Sequence, residues 1–170
     1  FGVGAKESGN LDLLGNRFVQ DRVGIYLDEC PFHAGQTNRI RGNTFALCET
    51  AIASLGSAAN NAFEDNTLRD NQTQVRVEES GDMMAARWTR NYFDDYQGYD
   101  LNRDGFGDIP YELRSLSGEM IGERPEVSFF RGTAALGVIE AMSKVLPLFQ
   151  PRPVLVDGHP RMRPAPGSAE

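Results

Sequence analysis

The sequence lacks a run of about 18 uncharged apolar residues, which excludes a transmembrane helix of ordinary length. It also lacks a basic start followed by an apolar stretch, so no signal peptide is recognisable, and it does not begin with methionine. With 170 residues it is nevertheless long enough to bury a hydrophobic core. We therefore expect a folded domain that does not insert directly into a membrane.

An excess of positive charge is also missing. Residues 1–112 carry 10 Lys or Arg against 18 Asp or Glu, and residues 113–170 carry 7 against 6, which gives the net charge of −7. An acidic surface argues against nucleic-acid binding. It is typical of proteins that rely on charge for solubility or that capture cations.

A repeat of 23 to 27 residues runs through the first part of the chain. In each copy an apolar residue stands three positions before an asparagine and another stands two positions after it. The asparagines are Asn16, Asn43, Asn66 and Asn91. A period of this size is the signature of a solenoid or a similar array.

The pattern within each repeat is that of short strands, because apolar residues alternate and no helical stripe of period 3.6 is present. We therefore predict an all-β parallel β-helix with one coil per repeat. The asparagines are expected to form a structural ladder inside one turn. The core columns would be Leu13, Ile40, Phe63 and Trp88; Phe18, Phe45, Leu68 and Phe93; and Ile25, Ile52 and Val75.

Residues 1–9 line up with residues 75–81, where a coil is already under way. This similarity predicts that the chain begins within a coil. We therefore expect it to be the C-terminal part of a longer protein.

A loop of oxygen-bearing residues follows the last repeat. Carboxylate and amide side chains recur every second residue around glycines, which is how a flexible loop surrounds a hard cation. Two interpretations stay open: bound calcium, or a turn in which Asp side chains accept hydrogen bonds from backbone amides. The ligands in the first case would be Asp100, Asn102, Asp104, the carbonyl of Phe106, and Asp108. In either case we expect the loop to close the last coil.

The chain changes character after this loop. Apolar residues within 127–146 recur at helical spacing and predict one amphipathic helix, and Pro147 would end it. Residues 147–170 are rich in proline and are expected to be extended rather than packed. We therefore divide the chain into β-helix coils over 1–112, closed by the loop at 100–108, and a C-terminal helix with an extended tail over 113–170.

Three segments resemble the NosD family of periplasmic right-handed β-helix proteins: residues 91–100, residues 104–111, and residues 156–160 near the end. The resemblance implies a non-enzymatic periplasmic protein that helps an ABC transporter to mature the copper sites of nitrous oxide reductase. It further implies docking on the transporter membrane subunit through 113–170, and contact with a copper donor protein and the reductase along the β-helix.

Soft ligands for such copper are few, and none forms a recognised motif. Copper(I) prefers thioether, thiolate and imidazole groups. The candidate ligands are Met83 and Met84, expected to be accessible in a turn, His159 with Met162, and Cys30 with His33. Cys30 and Cys48 fall at different corners of neighbouring coils, so we predict two free thiols.

A carbohydrate-binding or polysaccharide-processing module is the alternative. Asp28 and Glu29 occupy the same positions as Glu78 and Glu79 two coils later, roughly 9.6 Å away at about 4.8 Å per coil. That separation is at the far edge of the range for inverting glycosidases. The strands show no Lys or His beside these acids, so we expect no catalysis.

Overall fold

The computed structural model describes residues 1–114 and 153–165, except the side chains of residues 79 and 80. Short strands wind into four coils. The first three coils hold β1 Val3–Lys6, β2 Asp12–Leu14, β3 Arg17–Val19, β4 Val23–Asp28, β5 Asn38–Arg41, β6 Thr44–Ala46, β7 Thr50–Ser57, β8 Asn61–Glu64 and β9 Thr67–Arg69. The fourth coil has β10 Thr73–Asp82, a 3-10 turn at Met83–Ala85, β11 Arg87–Thr89 and β12 Tyr92–Phe93; β13 Tyr111–Arg114 and β14 Pro153–Asp157 follow.

Equivalent strands of successive coils form three parallel sheets, in the orders β1-β4-β7-β10, β2-β5-β8-β11 and β3-β6-β9-β12. We call their outer surfaces faces A, B and C. This arrangement confirms the predicted parallel β-helix. The placement of β1 beside β4 also agrees with the alignment of residues 1–9 to a later coil.

The apolar columns pair in the predicted register. Ile40 aligns with Leu13 on one side and with Phe63 on the other, and Trp88 continues that column. Rings stack where two aromatic residues meet: the Phe63 and Trp88 centroids are 4.1 Å apart with an angle of 8° between their planes. Side chains that repeat once per coil thus form one continuous core.

The asparagine ladder is also confirmed. The side-chain amide of each asparagine donates to the side-chain oxygen of the next, from Asn16 to Asn43 at 3.0 Å, from Asn43 to Asn66 at 3.0 Å, and from Asn66 to Asn91 at 2.9 Å. The same oxygens accept the backbone N–H of the preceding asparagine. The last three asparagines are buried, so these bonds satisfy groups that water does not reach.

The predicted C-terminal helix at 127–146 lies outside the described residues. The prediction that the tail is extended rather than packed is wrong for residues 153–165. β14 is an extended strand, but it pairs antiparallel with β13, and Leu155 and Asp157 within it are fully buried. No helix in the described part of the chain is long and apolar enough to cross a bilayer.

Candidate functional site

The C-terminal end of the β-helix is closed by residues that do not belong to the repeat. Tyr111 stacks on Phe93 with ring centroids 3.8 Å apart, which extends the core column of Phe18, Phe45, Leu68 and Phe93 by one layer. Its hydroxyl donates to the Asp95 carboxylate at 3.0 Å. Burial is the main reason, and the charge of Asp95 a further one, that the pKa of Tyr111 lies far above its ordinary value.

Asp157 takes the place of a fifth asparagine in the ladder. One of its carboxylate oxygens accepts both the backbone N–H and the side-chain amide of Asn91, each at 2.9 Å. The other oxygen accepts the backbone N–H of His159 at 3.0 Å. Asp157 is fully buried, and these charge-assisted bonds fix β14 on the last coil.

A cluster of charged groups fastens the same segment from outside. The Asp65 carboxylate accepts hydrogen bonds from Arg90 at 2.9 Å and from Arg161 at 2.8 Å, and Arg41 Nε lies 3.3 Å away. The bonds from Arg90, above all, and from Arg161 lower the pKa of Asp65 to about 2. Residues Arg161 and Asp157 had not been predicted to act in this closure. The only sequence signal was the resemblance at residues 156–160.

The methionine pair is divided between core and surface. Met83 is 1% exposed, and its carbonyl accepts the indole N–H of Trp88 at 3.1 Å. The expectation that it is accessible is therefore wrong, because β14 packs against the 3-10 turn that contains it. Met84 is 44% exposed.

Cys30 and His33 lie in different environments. The Cys30 thiol is buried, accepts the backbone N–H of Ser8 at 3.4 Å and donates to the Asp28 carbonyl at 3.2 Å. His33 lies in an exposed loop with its ring edge against Phe32. Cys30 therefore acts as a structural residue at a corner.

Both cysteines are free, as predicted. Cys48 is buried like Cys30, and burial raises the pKa of its thiol. A raised thiol pKa disfavours the thiolate, which is the form that binds soft metals.

The remaining pair of copper candidates lies on the packed C-terminal segment. His159 is exposed, whereas Met162 is half-buried and its backbone N–H donates to the Gly105 carbonyl at 3.0 Å. This bond ties the segment to the oxygen-rich loop. Met84, His159 and His33 are therefore the accessible members of the predicted copper set.

The loop at 100–108 has the hydrogen bonds of an Asp-stabilised turn. The Asp100 carboxylate accepts the backbone N–H of Asp104 and of Gly105, and Asp104 accepts that of Phe106 at 2.8 Å. Asp108 accepts the backbone N–H of Leu101 at 2.6 Å. These bonds are those of the second interpretation, and calcium binding stays a prediction.

Of the acids that suggested a glycosidase, Asp28 and Glu78 lie on face A in the predicted register. Asp28 and Glu78 both align with Leu55 of the intervening coil. The expectation that no lysine stands beside these acids is wrong, because Lys6 Nζ lies 2.7 Å from the Asp28 carboxylate.

Glu78 is paired as well. Arg76 lies 2.8 Å from it, and the Tyr26 hydroxyl donates to it at 3.4 Å. Burial, followed by the charges of Glu78 and Asp28, raises the pKa of Tyr26. Asp28 and Glu78 are thus held in separate ion pairs.

Residues 1–114 and 153–165 contain no group of three or more His, Cys, Asp or Glu side chains placed to hold a metal ion. These ranges contain a stack of coils with a buried asparagine ladder, and Tyr111 and Asp157 close its C-terminal end. The fold and site define a parallel β-helix protein that presents long outer faces.

Comparisons with known proteins place the chain more narrowly. The family model described as periplasmic copper-binding protein (NosD) matches residues 1–98. A protein of Pseudomonas aeruginosa named probable ABC transporter binding protein NosD is 29% identical over 127 residues, and one of Stutzerimonas stutzeri with the same name is 28% identical over 130. Each alignment covers 74% of this chain and 29% of the relative.

The chain belongs to the NosD family, as the resemblance predicted. The family description names copper binding and the periplasm, and the relatives' names refer to an ABC transporter. The aligned part of this chain spans about 29% of the length of those relatives.

Proposed function

We propose that this chain is part of a periplasmic accessory protein that works with an ABC transporter to mature the copper sites of nitrous oxide reductase. Membership of the NosD family is the observation that carries the proposal. In this role copper is a cargo that the protein hands on. A copper donor protein and the reductase would be met along the coils, and the transporter membrane subunit through residues 113–170.

The accessible soft ligands support transient copper contact near the closed end. Met84 lies in the 3-10 turn that packs against β14, and His159 follows that strand by two residues. Thioether and imidazole groups suit copper(I). His33 lies in a separate loop after β4, and Cys30 and Met83 are too buried to take part without rearrangement.

A copper(I) titration against a colorimetric competitor, under anaerobic reducing conditions, tests this role. We expect binding that is weakened in Met84→Ala and in His159→Ala but unchanged in His33→Ala. Binding that all three variants retain would move the copper contact away from these residues. No binding by the unmodified chain would overturn direct copper handling by this part of the protein.

Docking on the transporter can be tested without losing the closed end. β13 and β14 are antiparallel partners, and Arg114 aligns with Pro153, so residues 115–152 leave and re-enter at adjacent positions. Replacing 115–152 by an Asn-Gly turn should keep the pairing, because two-residue turns connect antiparallel strands.

We expect that replacement to abolish co-purification with the transporter membrane subunit while leaving the thermal unfolding of the coils unchanged. Undiminished co-purification would assign docking to the coils instead. A protein that no longer folds would be recognised by its circular dichroism and would call for a longer replacement turn.

We also propose that this part of the protein has no catalytic activity. The pairing of Asp28 with Lys6 and of Glu78 with Arg76 supports this, because a carboxylate held in an ion pair is a poor general acid. Release of reducing sugars from acidic or neutral polysaccharides would contradict the proposal. Binding to a glycan array without hydrolysis would favour a carbohydrate-binding module.

A further inference from the structure

Face B carries positive charge on a chain that is acidic as a whole. Two outward columns follow from the strand register: Asp12, Arg39, Ala62 and Arg87 in one, and Leu14, Arg41, Glu64 and Thr89 in the other. The side chains of Arg39, Arg41 and Arg87 are 66%, 60% and 67% exposed. Three guanidinium groups therefore face solvent on one sheet.

The acids on this face do not balance its arginines. Arg39 makes a bidentate ion pair with Asp12, and Arg87 forms an ion pair with Glu64. At the edge of the face, the single carboxylate of Asp65 is shared by Arg41, Arg90 and Arg161. Five arginines thus stand against three carboxylates, and they still outnumber the acids when the buried Asp157 is added.

Arg41 is the arginine with the weakest compensation. Its contact is a 3.3 Å approach of Nε to an Asp65 oxygen, and both Arg90 and Arg161 approach the same carboxylate more closely. Its guanidinium group can therefore turn towards a ligand at little cost. Asp65 would keep two partners if Arg41 were engaged elsewhere.

A depression on face B lies beside Arg39 and Arg41. It is lined by Leu14, Arg39, Arg41, Ala62 and Glu64. It arises because Ala62 stands in the column between Arg39 and Arg87, whose strands are two coils apart, roughly 10 Å at about 4.8 Å per coil. A carboxylate fits such a gap, since guanidinium groups bind carboxylates through paired hydrogen bonds.

We propose that face B is a docking surface for an acidic, extended segment of a partner protein, with a glutamate-type carboxylate held over Ala62 by the Arg41 guanidinium group and by the N–H donors of Arg39 that do not bond Asp12. Leu14, which is 55% exposed, contacts the aliphatic stem of that side chain. Glu64 closes one side of the depression and is neutralised by Arg87. The inference rests on the proposed function only for the existence of a protein partner.

Fluorescence anisotropy of labelled hexaglutamate at low ionic strength tests the proposal, with hexaglutamine as the uncharged control peptide. Arg41→Gln removes a guanidinium group without stranding Asp65. Ala62→Leu fills the depression and leaves every charge in place. Arg22→Gln is the matched control, because the Arg22 side chain is 87% exposed and lies outside face B.

We expect hexaglutamate to bind and hexaglutamine not to bind. Arg41→Gln and Ala62→Leu should each weaken binding by about tenfold or more, as for the loss of one charge-assisted hydrogen bond, and Arg22→Gln by less than about twofold. Absence of hexaglutamate binding would overturn the proposal. Equal weakening in Arg22→Gln and Arg41→Gln would also overturn it, because the attraction would then be non-specific.

Two further arms distinguish other anions. Displacement of hexaglutamate by equimolar inorganic phosphate would indicate a small-anion site and contradict a peptide surface. Binding to phosphatidylglycerol vesicles that survives in Ala62→Leu would indicate a membrane-facing surface and likewise contradict it. None of these measurements involves copper or the transporter. Failure of the docking proposal can therefore be distinguished from failure of the proposed function.

Discussion

The interior coils and the C-terminal closure satisfy the same buried groups by different means. In the interior, the Asn66 side chain accepts from Asn43 and donates to Asn91, as one of a series of equivalent residues. At the closed end, Asp157 and Tyr111 each occur once and come from segments outside the repeat. The comparison shows that repeated residues form the core of the coils, whereas the C-terminal end is closed by residues that occur only once.

Removing an interior ladder residue should have the largest effect. Asn66→Ala removes, in a dry interior, the acceptor of the Asn43 backbone N–H and of one Asn43 side-chain N–H, and it removes the side-chain donor to the Ile40 carbonyl. We expect the free energy of unfolding to fall by about 4 kcal/mol, measured by urea denaturation. The matched change Asn16→Ala, at an exposed position of the same ladder, should cost less than about 1 kcal/mol. Equal costs would contradict the distinction between interior and edge.

Truncating the stacked ring at the closed end comes next. Tyr111→Ala should lower the free energy of unfolding by about 3 kcal/mol, because it removes a buried aromatic ring from the column above Phe93. Tyr111→Phe keeps the stack and loses only the hydroxyl bond to Asp95, so we expect about 1 kcal/mol. A Phe variant as unstable as the Ala variant would show that the hydroxyl, rather than the ring, closes the column.

The carboxylate at the ladder end should have a smaller and more local effect. Asp157→Ala deprives the two N–H groups of Asn91 of their acceptor, and we expect a cost of about 2 kcal/mol. Because β14 lies at the end of the stack of coils, hydrogen exchange should accelerate at Asn91 and in β14 before it does in the inner coils. Uniform acceleration in all four coils would mean that the closure and the coils unfold as one unit.

Acid titration should give an effect of similar or smaller size. The folded-state pKa of Asp65 is about 2, below an unfolded value near 3.9. Its contribution, about 2 kcal/mol, is therefore complete above about pH 4 and is lost as the pH falls through 2. In Asp65→Asn this part of the pH dependence should vanish. A wild-type profile that is flat between pH 4 and pH 2 would contradict the arginine cluster as a clamp.

The coils could be predicted from the sequence because each one places the same types of residue at the same spacing. Phe18 and Phe45 stand at equal distances from their asparagines, so spacing alone aligned them. The same alignment places Lys6 beside Asp28, so the spacing of the repeats also encodes that ion pair.

The residues that close the C-terminal end could not be predicted from the spacing of the repeats. Asp157 meets Asn91 across 66 residues, and nothing in the spacing of the repeats marks its position. Met83 looked accessible because its turn precedes Trp88, and only the return of β14 shows why it is buried. Both errors concern contacts made once between distant segments, which a periodic pattern does not encode.

The direction of the asparagine ladder has an electrostatic consequence. Its side-chain amides all point the same way, with N–H groups towards the C-terminal end, so their dipoles add along the stack and polarise one another. The positive pole of that array lies at Asn91, where Asp157 supplies a negative charge. The buried carboxylate thus neutralises the array's own field, as an anion does at the amino end of a helix.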